Sequence, residues 1–176
     1  MRKLKTIAIY IFVLFFTLGA YGSTMKPTAD KVFLKAFLTE LYSFNNDKLQ
    51  NLNFYNFMYP WDKFTVKLRD YMAEKTFQDF SDKKLYYDYV TTSYYNGFHS
   101  SVYYIKIKPG TKNISATTYT YEATVELFYR HKSTREVYTV NGEVNLSNIN
   151  GNYKITKITK LVFPTAGFSN VISKLV

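Results

Sequence analysis

The chain has 176 residues, 47% of them hydrophobic and 19% aromatic, and a formal charge of +10. That length fits about one domain, and with only 7 Gly and 4 Pro the composition is neither disordered nor collagen-like. The absence of Cys excludes disulfides, thiolate metal sites and a lipoprotein anchor, and two His leave an all-protein zinc site short of ligands.

In chain order, Arg2, Lys3 and Lys5 form a basic start, followed by an apolar run from Ile7 to Leu18. Ala20 and Gly22 place small residues at −3 and −1 for cleavage before Ser23, the pattern of a secretory signal peptide over residues 1–22. The rival is a short retained membrane anchor with its basic end in the cytoplasm, although a span usually needs roughly 17–25 apolar residues. Either way the bulk of the chain is expected outside the cytoplasm, in the periplasm or cell envelope, with the inner membrane as a contact if the segment is retained. Without the three leading cations, 20 basic residues still face 13 acidic ones. They are spread along the chain with no basic run, which favours a solvated basic surface over nucleic-acid binding. Anionic lipid head groups or acidic partners remain compatible with it.

Residues 23–29 read as a linker, 30–163 as one α+β domain and 164–176 as a tail. Phe33, Phe37, Leu41 and Phe44 recur with helical spacing, which predicts a helix over 29–44. A short helix is expected over 48–56. Pro60, at a position where its missing N–H costs nothing, opens an amphipathic helix over 60–75 with Trp61, Phe64, Leu68 and Tyr71 on its apolar side. From Lys84 the expectation changes to strands. LYYDYVTTSYY is read as the first, ended by Asn96-Gly97, and VYYIKIK as the next, stopped by Pro109-Gly110. TYTYEATVELFYR alternates most clearly, with Tyr119, Tyr121, Ala123, Val125, Leu127 and Tyr129 on one face. In EVYTVNGEVNL, Gly142 falls on the apolar face, where a bulge or close packing is expected. Asn150-Gly151 is a tight-turn pair. In NYKITKITKLVF the period slips near Thr156–Lys157, again a bulge signal. Helices first and strands after give α+β: N-terminal helices packed on a curved antiparallel sheet.

Chemistry is thinly signalled. No Gly-x-Ser-x-Gly, His-Glu-x-x-His or phosphate-cradling glycine loop occurs. His99 and His131 lie in turn regions and read as surface residues. Asp88, set among Tyr86, Tyr87 and Tyr89, is the best carboxylate for a tuned acid–base role, with a rim carboxylate bonded to Tyr or Lys as the plainer reading. Glu122 and Glu126 share the polar side of their strand and read as cross-strand partners for Lys or Arg. Trp61 and the ladder Tyr119, Tyr121 and Tyr129 are either packed core or an exposed platform for a partner or another copy.

The joint AFLTELYSFNNDKLQNLNFYNFMYPWDKFTVKLRDY, followed by KKLYYDYVTTS and the strand pair TYEATVELFYRHKSTREVYTVNGEVNL, resembles the periplasmic domain of the DotI/IcmL family, assembly components of type IVB secretion systems. The resemblance covers about residues 30–163. It implies a cone-shaped fold like that of nuclear transport factor 2, shared with the equivalent subunit of conjugative machines. It also implies a scaffold that oligomerises and contacts other secretion subunits, with no catalytic residue and no cofactor to carry over. The short, cleavable-looking apolar segment departs from the anchored members, so a core component and a soluble exported relative both stay open. The alternative is a small-ligand-binding or isomerase/dehydratase-like member of the same cone, with Asp88 or His99 at its mouth. An open pocket with converging polar groups marks that alternative. A cone plugged by Phe and Tyr, with apolar surface outside, marks the scaffold. Contact with single-stranded DNA would need clustered Lys beside exposed aromatics.

Overall fold

The computed structural model describes residues 27–45, 60–164 and 173–174, with backbone only for 60–64 and 173–174. The helix expected over 48–56 lies outside the described residues. So does the side chain of Trp61.

Helix α1, Ala29–Tyr42, buries Leu34, Phe37, Leu38, Leu41 and Tyr42 and leaves Val32, Lys35, Ala36 and Thr39 in solvent. The buried set follows the i, i+3, i+4, i+7 stripe of an amphipathic helix. Burying each of its large side chains stabilises the fold by about 1.5–3 kcal/mol before ordering costs.

The helix expected over 60–75 is two helices, α2 (Pro60–Arg69) and α3 (Glu74–Asp82). The break has a tertiary cause. Tyr71 C=O accepts from Ile155 N–H at 2.9 Å and Ala73 N–H donates to Ile155 C=O at 2.9 Å, so Met72 forms a parallel bridge to the sheet. A backbone paired sideways with a strand cannot also continue the helical ladder.

A second correction concerns Leu85–Asn96, expected as a strand and found as helix α4. Its Tyr, Val and Thr content has strand propensity, but propensity yields to packing. Tyr86, Tyr89, Val90 and Ser93 are buried, a spacing of three, four and seven that only a helix provides. Gly97 closes it in the left-handed region at φ 67°, its N–H donating to Ser93 C=O at 2.8 Å. Asp88 therefore sits in the first turn of a helix and not in a strand.

Four long antiparallel strands follow, β1 (Phe98–Lys112), β2 (Thr117–Tyr129), β3 (Thr134–Ile149) and β4 (Asn152–Leu161), with a two-residue β5 (Ser173–Lys174) beside β4. They form one sheet in sequence order, with β1 at its outer side. The strand expected to stop at Pro109-Gly110 runs on to Lys112, with a register shift between Pro109 and Lys112. Proline is tolerated there because β1 is an edge strand, whose outward positions need no N–H for the ladder.

β2 buries the six residues its alternation named, from Tyr119 to Tyr129. Gly142 is where close packing was expected: a Cβ there would lie 2.3 Å from Tyr121 Oη and 2.6 Å from the Lys160 carbonyl oxygen. Tyr121, its cross-strand partner, thus lays its ring over the bare glycine. Asn150 and Gly151, at φ 54° and 86°, make the two-residue turn between Ile149 and Asn152. In β4, Thr159 and Thr156 are each an extra residue against β3, since Glu143 and Val144 face Lys160 and Ile158, and Asn145 and Leu146 face Lys157 and Ile155. Each bulge resets the alternation. Ile155, Ile158 and Leu161, three apart, therefore all reach the core, and the strand bends around the helices.

Candidate functional site

The space between α1, α4 and the sheet is filled by aromatic rings. Phe163 stacks on Tyr89 at 4.8 Å and meets Tyr42 edge-on at 5.6 Å. Phe44 meets Tyr89 edge-on at 5.0 Å, and Phe98 packs on Tyr129 at 5.4 Å. Such pairs contribute about 0.5–1.5 kcal/mol beyond area burial.

The polar atoms of this interior bond to one another. Tyr42 Oη donates to Val162 C=O at 2.9 Å, so the 2.8 Å contact between Tyr42 and Tyr121 has Tyr121 as donor. Ser100 Oγ donates to Tyr42 C=O at 2.6 Å, so Tyr89 Oη is the donor to Ser100 Oγ, also at 2.6 Å. Ser93 Oγ donates to Phe98 C=O at 2.5 Å.

Burial, with the charge of Tyr121 and its hydrogen bond as lesser causes, holds the Tyr42 hydroxyl well above the ordinary phenol value of 10.0. Burial likewise pushes Tyr86, Tyr89 and Tyr121 up. A phenol raised in this way keeps its proton throughout the physiological range. The network is a set of neutral structural bonds with no group poised for proton transfer near neutral pH. Among the described residues the buried polar side chains are Thr65, Thr76, Ser93 and Ser100, none of them an acid or a histidine.

The residues singled out from the sequence separate. Asp88 is exposed on α4. His99 is half-buried on the face of β1 opposite Phe98 and Ser100, its ring 6.3 Å from that of Phe128, which carries the Arg135 guanidinium at 5.6 Å. Asp88 and His99 thus do not converge on the interior. His131 is exposed in the β2–β3 turn. Tyr119, Tyr121 and Tyr129 face inward in the single chain, the core side of the two readings open for them. Tyr119 donates a short hydrogen bond to Asp30 in the first turn of α1. Burial raises the Asp30 carboxyl, but bonds from Thr28, Tyr119 and the backbone outweigh it and leave the group below its ordinary 3.8. Glu126 pairs with Arg135 at 3.5 Å, as a cross-strand partner should. No cluster of acids and histidines able to hold a metal is present among the described residues.

Three recesses are bordered by described residues. One of about 430 Å³ runs between α3 and β4, with Phe80 and Ile158 at its base and Lys75, Asp79 and Lys157 around it. One of about 280 Å³ lies at the β1–β2 turn beside Asp30, Tyr119 and Tyr153. The largest of these, about 740 Å³, is an open groove between α1 and β1 that includes Val32, Ala36, Ile105 and Ile107. Sequence reasoning missed this margin, although the alternation Ile105-Lys106-Ile107-Lys108 closed by Pro109 carries the marks of an edge strand.

The architecture is therefore a cone of helices packed on a curved antiparallel sheet and closed by its own aromatics. No family model matches the sequence, and no curated protein matches it significantly. Among solved structures it is similar to an IcmL-like type IV secretion system protein from Legionella pneumophila subsp. pneumophila str. Philadelphia 1, with a TM-score of 0.51 and 8% identity over 75% of this chain and 91% of that one. A periplasmic fragment of TraM is similar with a TM-score of 0.44 at 8% identity, over 74% of this chain and 96% of that one. An Ntf2 like protein involved in plasmid conjugation gives 0.41 at 13% identity, over 78% of this chain and 50% of that one. The IcmL-like resemblance read from the sequence is thus met in the fold, and at such identities the likeness is one of fold. No helix among the described residues is long and apolar enough to cross a membrane.

Proposed function

We infer that the protein is an exported, non-enzymatic scaffold of a type IV secretion or conjugation apparatus, working by contact with other secretion subunits and with copies of itself. The observation that carries this reading is the filled cone. The space a ligand-binding or catalytic relative would keep open is taken by Tyr42, Tyr89, Phe98, Tyr121 and Phe163, and the three tyrosine hydroxyls are used by one another, by Ser100 and by backbone. In the same reading residues 1–22 are a signal peptide removed before Ser23, or a short anchor that keeps the domain at the inner membrane, and the domain works in the periplasm or cell envelope. The cations on its surface meet acidic protein or lipid rather than nucleic acid.

The test is deletion of the gene followed by rescue. Transfer or export by the apparatus is lost on deletion and restored by the wild-type chain and equally by Asp88→Ala and His99→Ala. Rescue that fails with either variant, while the protein accumulates normally, overturns the non-enzymatic reading. Transfer unchanged by deletion overturns the role itself.

A further inference from the structure

The first part of the β1 edge is already covered by the chain itself. Phe44 N–H donates to Ser100 C=O at 2.9 Å, Ser100 N–H donates to Phe44 C=O at 3.0 Å, and Val102 N–H donates to Ser43 Oγ at 3.2 Å. Phe44 and Ser100 pair antiparallel, so Asn45 leaves the bridge on the Phe98 side, away from the rest of β1. Among the described residues no backbone pairs with that side of β1 beyond Val102.

Tyr103 is an extra residue against β2, because Val102 faces Val125 and Tyr104 faces Thr124. Counting outward positions from Ser100 across this bulge turns the N–H and C=O of Ile105 and Ile107 to the free edge. Pro109, which has no N–H to offer, takes the next outward place. The open window thus has a bulge at one end and a proline at the other.

The two faces of this window differ. On the helix side, Ile105 and Ile107 border the 740 Å³ groove with Val32 and Ala36 of α1, and Val32 is 53% exposed. On the other side Lys106 and Lys108 stand in solvent. We propose that the β1 edge takes an extended segment of a partner protein as an added strand. The segment alternates apolar residues, which enter the groove, with acidic residues, which meet Lys106 and Lys108.

Strand addition takes its affinity from main-chain bonds and its specificity from alternate side chains, and this edge offers both. Charge complementarity decides the occupant. A second copy of this basic strand would set lysine against lysine, which is unfavourable for directly facing residues, whereas an acidic segment is attracted by the same side chains. Ser43–Phe44 already docks next door in the same manner, so the added strand would continue an existing one. The inference deepens the assembly role by naming the kind of segment bound, and rests on that role only for its biological setting.

The test is titration of the full chain with a short synthetic peptide in which valine and aspartate alternate, against one alternating valine and lysine. The acidic peptide binds, slows hydrogen exchange at the Ile105 and Ile107 amides, and binds at least about tenfold more tightly than its lysine counterpart. Ile107→Pro removes one outward donor and leaves the β2 ladder intact, so it weakens the acidic peptide about tenfold. Lys106→Glu combined with Lys108→Glu reverses the preference between the peptides, and carries the test alone if Ile107→Pro fails to fold. Equal binding of both peptides, no binding of the acidic one, or affinity untouched by the charge reversal overturns the proposal. Deletion and rescue do not involve this edge, so a null titration removes the docking site and leaves the assembly role standing.

Discussion

The inside of the cone and its β1 margin are built on opposite terms. Inside, Tyr42, Tyr89 and Tyr121 are locked twice, by ring packing and by a hydroxyl with a protein partner: Tyr42 reaches Tyr121 and Val162, and Tyr89 reaches Ser100. At the margin, Tyr103 and Tyr104 are 83% and 55% exposed, and among the described residues no backbone pairs with the outer side of β1 past Val102. The same residue type therefore does two jobs. Tyrosine fills and fixes where its tip finds an internal acceptor, and it offers a wet, apolar contact where it does not.

The largest way to break this contrast is alkali. In the unfolded chain phenols ionise near 10, while burial holds Tyr42, Tyr86, Tyr89 and Tyr121 above that value in the fold. The folded state then binds more protons than the unfolded one, so their contribution is fully present below the unfolded pKa and is lost as pH rises beyond it. Each phenol contributes a slope of about 1.4 kcal/mol per pH unit, and four give roughly 5. Against a domain stability of about 5–15 kcal/mol, near-ultraviolet circular dichroism should collapse cooperatively within a few pH units above 10, in step with phenolate absorbance. Gradual, independent titration with the fold retained would contradict it. Next comes Gly142→Ala. Its new methyl meets the Tyr121 ring and the Lys160 carbonyl, and urea denaturation should show a loss of about 3 kcal/mol. In a Tyr121→Ala background the added cost of the methyl falls but does not vanish, because the carbonyl stays.

The proton directions inside the network give a smaller and more discriminating effect. Tyr42→Phe strands both the Val162 carbonyl and the Tyr121 hydroxyl, and should cost about 2 kcal/mol. Tyr121→Phe removes a donor whose acceptor, Tyr42 Oη, still gives its own proton to Val162, and should cost about 1 kcal/mol. The double variant should then cost little more than Tyr42→Phe alone. Additive losses would show that the two hydroxyls do not share one chain of bonds.

Much of this contrast was legible in the sequence, and its gaps have physical causes. β2 was readable because six alternate positions are apolar or Tyr and all six are buried. Gly142 was readable because a glycine on an apolar face asks what lies over it, and the period slip of β4 marked one of its two bulges. α4 was misread because tyrosines at 86, 87, 89, 94 and 95 hide its period, and one of its four inward positions is Ser93. The break between α2 and α3 left no local mark, since its cause is Ile155, far along the chain. The interior network was half legible. The tyrosines were identified as core or platform, but the choice depends on Tyr42 and Ser100 arriving from other elements. Lys106, Lys108 and Pro109 were visible throughout, and were read as the end of a strand instead of the border of an edge.

The smallest expected effect bears on the margin. Tyr103, 83% exposed, sits on the bulge where β1 turns its edge outward, and Tyr95, 71% exposed, lies in the last turn of α4. Replacing either by Ser removes little buried area, so urea midpoints should stay within about 0.5 kcal/mol of the wild type. If the rim is a contact surface, the same substitutions lower transfer by the apparatus while the protein accumulates normally, because an aromatic at an interface contributes area that Ser does not. A Tyr103→Ser chain that loses stability as the interior variants do would mean that the rim tyrosines belong to the fold, and the division between a closed inside and an available outside would fail at its most exposed residue.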